Sequence, residues 1–348
     1  MRFSNAAVVA VVLSAFPLFG AQRTFVASNG TDINSCTRDL PCRSFAAAIA
    51  QTSANGEVVA IDSAGYGPFA VTQSVAVIAP LGVHAGVSVL SGDGVSVNLP
   101  VFATRALLRN LFINGQGGVN GINVIAGDVS VDHCVIGNFT NAGIYAASSA
   151  ASGILVADTI FRYNGDFTTA AGAGIYISSP SILSVDHCRF DVNSNGVVAD
   201  QASSISVHES VLIGGYVGLF ARANTGPANM IVESTLLYHC NTMGIRVNNG
   251  DVVVHNGGVS GSSTGYAATA GFSQAARLSL DGTVISHNGT GLYVYAAGSE
   301  ARITRAIITL NQTGISIGSG GLCYSRGDNY VSGNSTNVTG MIILESGT

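Results

Sequence analysis

Tryptophan and lysine are both missing from this 348-residue chain, and only 9% of its residues are charged. All 14 basic residues are therefore arginine, and the net charge is −5. With no basic cluster anywhere along it, the chain is not a nucleic-acid binder. Sparse charge also fits poorly with a helical protein, while 47% apolar content excludes a disordered one. No apolar run beyond the N-terminus is long enough to cross a bilayer.

What is abundant is glycine, 44 residues in all, and much of it recurs in one pattern. GINV (121–124), GIYA (143–146), GIYI (174–177), GVVA (196–199), GLFA (218–221), GIRV (244–247), GLYV (291–294) and GISI (314–317) read as copies of one short strand. Their first five glycines stand 22, 31, 22 and 22 residues apart, and a fixed period in that range means a solenoid. A second recurring segment lies between them, seen in VSVDHCVI (129–136), LSVDHCRF (183–190) and ISVHESVL (205–212), and an Asn-x-x-Gly mark closes several units at Asn193, Asn241, Asn288 and Asn311. Each unit is thus strand, bend, strand, Asn turn, strand.

A unit of about 22 to 26 residues cannot bury its apolar positions alone, so it must stack on its neighbours. Period-2 alternation puts Val131, Ile136, Ile205, Val207 and Leu212 on the inward face. Beyond the bend, Cys134, Thr159, Cys188, Ser210 and Thr283 form an internal stack of small residues, and the asparagines form a ladder of side-chain amides at a turn suited to their tolerance of left-handed backbone.

The N-terminus reads as an export leader over residues 1–21: one early arginine, then an apolar run from Ala6 to Phe19 that is shorter than a membrane span. Residues 22–348 form the mature β-helix domain. Export permits disulfides, and Cys36 and Cys42 in CTRDLPC are the expected pair. Cys134 and Cys188 are separated by a whole intervening unit; two rises of about 4.8 Å leave them too far apart for a bond, so they are expected as buried thiols. Ser44 caps a helix over 44–53 that covers the open end of the stack. SGSSTGYAATAG (260–271) reads as a surface loop, and Arg326-Gly327-Asp328 as a turn.

Chemistry is expected at the bend, where polar pairs stack unit upon unit: Asp132-His133, Ala157-Asp158, Asp186-His187, His208-Glu209, Val232-Glu233 and His255-Asn256. Side chains about 5 Å apart can share a cation, and a carboxylate ridge is of the kind that holds Ca2+. The plain alternative is that Asp, Glu and Asn sit there because bends favour them. Tyr145 and Tyr176 follow Gly-Ile in consecutive copies and serve either as a sugar platform or as ordinary cross-strand stacking. An outward apolar column of Val135, Ile160, Val211, Val284 and Ile307 is expected to be buried in a homo-oligomer or under the 260–271 loop.

In RTFVASNGTD (23–32), PCRSFAAAIA (41–50), GEVVAIDSAGYGP (56–68), VTQSVAVIAP (71–80), LFINGQGG (111–118) and the later repeats, the chain resembles exported bacterial right-handed parallel β-helix proteins of the pectate-lyase-like superfamily. The resemblance covers nearly all of the mature chain and implies an all-β solenoid; it implies activity only weakly. Relatives in that superfamily include polysaccharide lyases, galacturonan hydrolases and phage tailspikes. The lyases use a calcium to acidify the sugar C5 proton and an arginine or lysine to remove it. Applied to the ridge, that makes Asp132, Asp158 and Asp186 the metal ligands and Arg189 the base, with Asp186 and His187 as the other catalytic candidates; the ridge itself supplies Asp132, His133, Asp158, Glu209 and Glu233 as candidate binding residues. The hydrolases' adjacent Asp-Asp pair and Arg-Ile-Lys motif do not occur in this sequence. Two functions stay open: a secreted, periplasmic or cell-surface protein that binds and cleaves polysaccharide, or a non-catalytic surface module binding glycan or protein.

Overall fold

The computed structural model describes residues 21–100, 104–147, 152–222, 225–271 and 274–345. The expected leader, residues 1–21, lies outside the described residues except for Ala21, where the first strand, Ala21–Val26, begins. From there the chain winds as a right-handed parallel β-helix. Among the described residues, every paired strand is parallel to its neighbour in the coils before and after, and the second of three sheets holds 12 strands, one per coil.

One coil shows why the sequence folds this way. Asp128–Asp132 lies in the first sheet, Val135–Gly137 in the second and Ala142–Ala146 in the third. Val131, Ile136, Ile205, Val207 and Leu212 are at most 3% exposed, as their alternation requires. Each such burial contributes roughly 1.5–3 kcal/mol. Phe161 and Phe190 stack within the core, their ring centroids 4.9 Å apart.

The glycines that mark the third sheet are there for closeness and not for dihedral freedom. At each of Gly121, Gly143, Gly174, Gly196, Gly218, Gly244, Gly265 and Gly291, an added Cβ would meet the next coil's glycine carbonyl oxygen at 2.3–2.9 Å. Backbone rests on backbone along this seam, and no side chain fits between. Gly265 exposes a misread stretch. Residues 260–271 are not a surface loop: Gly258–Ser260 and Thr264–Thr269 are the second and third strands of a regular coil, with Tyr266 fully buried in the aliphatic position. The run of small and polar residues hid a strand whose register comes from its neighbours, Met243 and Thr290 pairing with Thr264.

Two corners separate the sheets. At the first, one residue per coil takes left-handed backbone: His133 (φ 52), Asp158 (φ 47), His187 (φ 49), Glu209 (φ 43) and Ser234 (φ 50) among them. The next residue turns inward, giving the stack Cys134, Thr159, Cys188, Ser210, Thr235 and Thr283, all at most 2% exposed. Hydrogen bonds run along it, from Cys134 N to Thr159 Oγ1 (3.2 Å) and from Cys188 N to Ser210 Oγ (3.1 Å).

The second corner carries the asparagine ladder, in which Asn164 Nδ2 donates to Asn193 Oδ1 (2.9 Å), Asn288 to Asn311 (3.0 Å) and Asn311 to Asn334 (2.9 Å). Two details of the expectation change. The left-handed residue is the one before the ladder, such as Tyr163, Val192, His287 and Leu310, so asparagine is selected for its amide. Asn241 is exposed and off the ladder, because buried Cys240 holds that position.

The capping helix spans Phe45–Gln51, two residues shorter than expected at its end: Thr52 is already extended and opens the strand Thr52–Ala60. Ser44 caps it, its side chain accepting from Ala47 N (3.2 Å), and Phe45 packs on Tyr66 and Phe69 to close the first coil. Cys36 and Cys42 are bonded, and the other four cysteines are buried free thiols. The outward column of the second sheet is interrupted, since Arg189 aligns with Ile160 and Val211, and Gly258 with Val284. Its exposed apolar members are Leu236 on one side of Gly258 and the continuous stretch Val284, Ile307 and Tyr330 on the other. Arg326-Gly327-Asp328 forms a turn at Gly327 (φ 83), with Asp328 Oδ1 accepting from Arg305 N (3.2 Å).

Candidate functional site: the ridge at the first corner

The polar pairs of the sequence form two columns along the first corner. The last residue of each first-sheet strand makes the inner column, in which Arg109, Asp132, Ala157, Asp186, His208, Glu233, His255 and Asp281 stand in register. The left-handed residues make the outer one, with His133, Asp158, His187 and Glu209. Asn, Asp and His tolerate that backbone better than most residues, so part of the ridge's composition has a purely structural cause. The pair containing Glu233 is Glu233-Ser234, one residue later than the sequence suggested, which sets Glu233 beside His208.

Two groups of donor atoms gather on the ridge. In the first, Asp186 Oδ1 lies 3.0 Å from His187 Nδ1 and 2.8 Å from His208 Nδ1, while His187 Nε2 reaches Glu209 Oε2 at 2.5 Å. The two rings come from adjacent coils and stand edge to face, 6.0 Å apart. Hydrogen bonding to Asp186 raises both histidine pKa values above the usual 6.5, with Glu209 adding to the effect. The hydrogen bond from His208 in turn holds Asp186 below the usual carboxylate range.

In the second group, His133 Nδ1 lies 2.5 Å from Asp132 and 3.9 Å from Asp158. Arg109 Nε binds Asp132 at 2.6 Å. Burial works to raise the Asp132 pKa, but the hydrogen bonds from His133 and Arg109 outweigh it and leave the group lowered. Asp186, His187 and His208 each offer a ligand atom within 4.8 Å of the others, and so do Asp132, His133 and Asp158.

The three aspartates assigned to one calcium are thus divided between two clusters. Arg189 stands beyond the bend in the second sheet, its Nε bonded to Asp191 at 2.8 Å. Sequence reading missed Asp281, which binds Arg305 through both carboxylate oxygens (2.8 and 2.6 Å) and lies 3.3 Å from His255. These three line a cavity of about 590 Å³ with Arg302 and Arg326. The signal was present in one more copy of the recurring strand, LSLDGTVI (278–285), but Gly282 follows Asp281, so that coil carries no second polar residue to mark a pair.

Comparison with known proteins fits this architecture. Residues 151–341 match the family described as periplasmic copper-binding protein (NosD). The chain belongs to the NosD family. No curated protein matches the sequence. Among solved structures, an alginate lyase from a Paenibacillus species superposes with a TM-score of 0.54 at 12% identity, covering 93% of this chain and all of the lyase. The A-module of a mannuronan C-5 epimerase from Azotobacter vinelandii gives the same score and identity, covering 84% and 91% of the two chains. At such identities the likeness shows the parallel β-helix fold alone. Among the described residues of this NosD-family chain, no helix is long and apolar enough to cross a membrane.

Proposed function

We propose that this NosD-family chain is an exported protein that binds copper(II) on its first-corner ridge, with Asp186, His187 and His208 as ligands and Glu209 beside them. The observation that carries the reading is that imidazoles from two neighbouring coils converge on one carboxylate. Two nitrogens and carboxylate oxygens make a donor set that suits copper(II) and poorly suits calcium, which takes oxygen ligands only. The family's description as periplasmic and copper-binding agrees with it. All four free thiols are buried, so the donors at the surface are imidazole and carboxylate, which suit the oxidised metal, and not the soft thiolates that select copper(I). Export by the leader 1–21, leaving 22–348 as the mature chain, fits the Cys36–Cys42 bond.

The test is a copper(II) titration followed by electron paramagnetic resonance. Coupling to two imidazole nitrogens is expected, with affinity lowered tenfold or more in His187→Ala and in His208→Ala and unchanged by excess calcium. An unchanged spectrum in the double variant would sink the reading. The calcium set of Asp132, Asp158 and Asp186 is tested in the same series, since calcium displacing copper would favour it.

A second reading, polysaccharide cleavage on the first-sheet face, is favoured by the charged cavity around Asp281 and Arg305 at the end of the ridge. Release of unsaturated or reducing ends from acidic polysaccharides, lost in Asp281→Ala or Arg305→Ala, would support it; loss in Asp186→Ala or Arg189→Ala instead would place cleavage at the residues the sequence singled out. Binding without product would support the non-catalytic module. Self-association would use the exposed Val284–Ile307–Tyr330 stretch, and sedimentation of Ile307→Asp against the native chain checks it.

A further inference from the structure

The longest repeat step, 31 residues, has a purpose that the ridge does not explain. Between the second-sheet strand ending at Arg162 and the third-sheet strand Ala173–Ile177, ten residues stand where Asp191 and Asn195 are separated by three. Asn164 keeps its ladder place, so the surplus emerges after it and folds over the outer face of the third sheet. This insertion is fastened at several points. Asp166 and Ala171 exchange backbone hydrogen bonds (2.7 and 3.2 Å), Thr168 and Thr169 donate to the Asp166 carboxylate, Asn195 Nδ2 donates to Ala170 O (3.0 Å) and Gly172 O (2.8 Å), and Tyr216 Oη donates to Phe167 O (2.7 Å).

Beside it the outer face is aromatic. Tyr145 and Tyr176, aligned on neighbouring strands, have ring centroids 5.7 Å apart, and both are partly exposed. The Arg222 guanidinium lies 5.6 Å from the Tyr176 ring and 5.5 Å from that of Phe220, and bonds to the Tyr176 hydroxyl and to Asp200 (2.8 Å). Between the insertion and these rings is a cavity of about 300 Å³, within the size range of small-ligand sites. Val198, Asn141 and Asn195 line it as well, the Asn195 amide nitrogen being already bonded to the insertion.

We infer that this cavity is a binding site for a neutral saccharide unit, whose ring packs into the 49° angle between the Tyr145 and Tyr176 planes, stacked on one and edge-on to the other, and whose hydroxyls bond to Arg222 and the side-chain amides of Asn141 and Asn195. Flat aromatic faces flanked by fixed polar groups match the alternating apolar faces and hydroxyl edges of a pyranose. Charge favours that class: Arg222, the cation that lines the cavity, is already neutralised by Asp200 and offers directional hydrogen bonds, while Arg246, over Phe220 and bonded to Asn248, is not part of the lining. The inference rests on neither reading of the ridge, which lies at another corner of the coil.

A glycan array bearing neutral and acidic oligosaccharides tests it, followed by calorimetry with the best neutral binder. Binding to a neutral glycan is expected, weakened at least tenfold in Tyr145→Ala and in Tyr176→Ala and largely kept in Tyr176→Phe, with the circular dichroism and melting temperature of each variant matching the native chain. Binding to no glycan overturns the inference. Binding only to acidic glycans, or binding that both alanine variants leave intact, overturns it as well. Deleting residues 166–171 supplies a check that retains Tyr145, Tyr176 and Arg222; affinity that survives the deletion counts against the site.

Discussion

His208 Nδ1 sits 2.8 Å from Asp186 Oδ1, although the two residues are 22 positions apart and belong to successive coils. One turn of the solenoid converts that separation into a hydrogen bond. The same carboxylate oxygen receives His187 at 3.0 Å, so a single aspartate anchors two imidazoles.

Both histidines are therefore expected to titrate above 6.5, read as the pH dependence of their ring proton shifts by NMR. A raised folded-state value means the ion pairs are complete below 6.5 and disappear as the pH climbs through the raised value. Asp186→Asn should return His208 toward 6.5. A native His208 titrating at or below that value would contradict the geometry.

Burial pushes the thiols of Cys134, Cys188 and Cys323 up to about 12 and that of Cys240 to about 11. At pH 8 they are protonated and enclosed, so a thiol reagent should modify none of them in the native protein and all four in denaturant. A native thiol that reacts at the rate of a free cysteine would show the core to be open there.

Gly196→Ala places a Cβ 2.3 Å from the Gly218 carbonyl oxygen and 2.4 Å from Leu212 Cδ2, neither of which has room to move. Destabilisation of about 1–3 kcal/mol is expected from denaturant midpoints. Gly65→Ala, with nothing within 4 Å of the new atom, should fall within about 1 kcal/mol of the native chain. Equal effects at the two sites would refute the seam.

Asn193 is buried, accepts from Asn164 N (3.1 Å) and donates to Phe161 O (2.9 Å). Its replacement by alanine leaves both partners unmatched, at roughly 1–3 kcal/mol each. Asn241→Ala, at an exposed residue off the ladder, should cost about 0.5 kcal/mol or less. Thermal melts of the two variants measured side by side separate the positions.

The solenoid was legible because period 2 along a strand and a fixed step between coils are written directly in residue type. Val131 and Val207 could be placed inward without any structure, and Cys134 recognised as part of an internal stack. Registers that depend on neighbours were not legible. Tyr266 hides in a run of Ser, Thr, Gly and Ala that carries no alternation, and only the coils on either side make it a strand. Most of the ridge's membership was readable, Asp281 excepted, whereas ridge pairing was not. Arg189 lies three residues beyond Asp186, but the left-handed corner at His187 sends it to another sheet and to Asp191. Glu233 was misaligned by one residue because Ser234, a poor candidate for left-handed backbone, occupies that corner.

The insertion after Asn164 shows how tolerant this architecture is of added length. Surplus residues leave the coil at a corner and return to it, and the strand that follows resumes its register with Ala142 and Ile144 as though nothing had intervened. A wall can thus be raised over one face of the cylinder while the neighbouring turns keep their spacing, so new recognition surfaces can be grafted onto such a rod locally, at any level, without redesigning its interior.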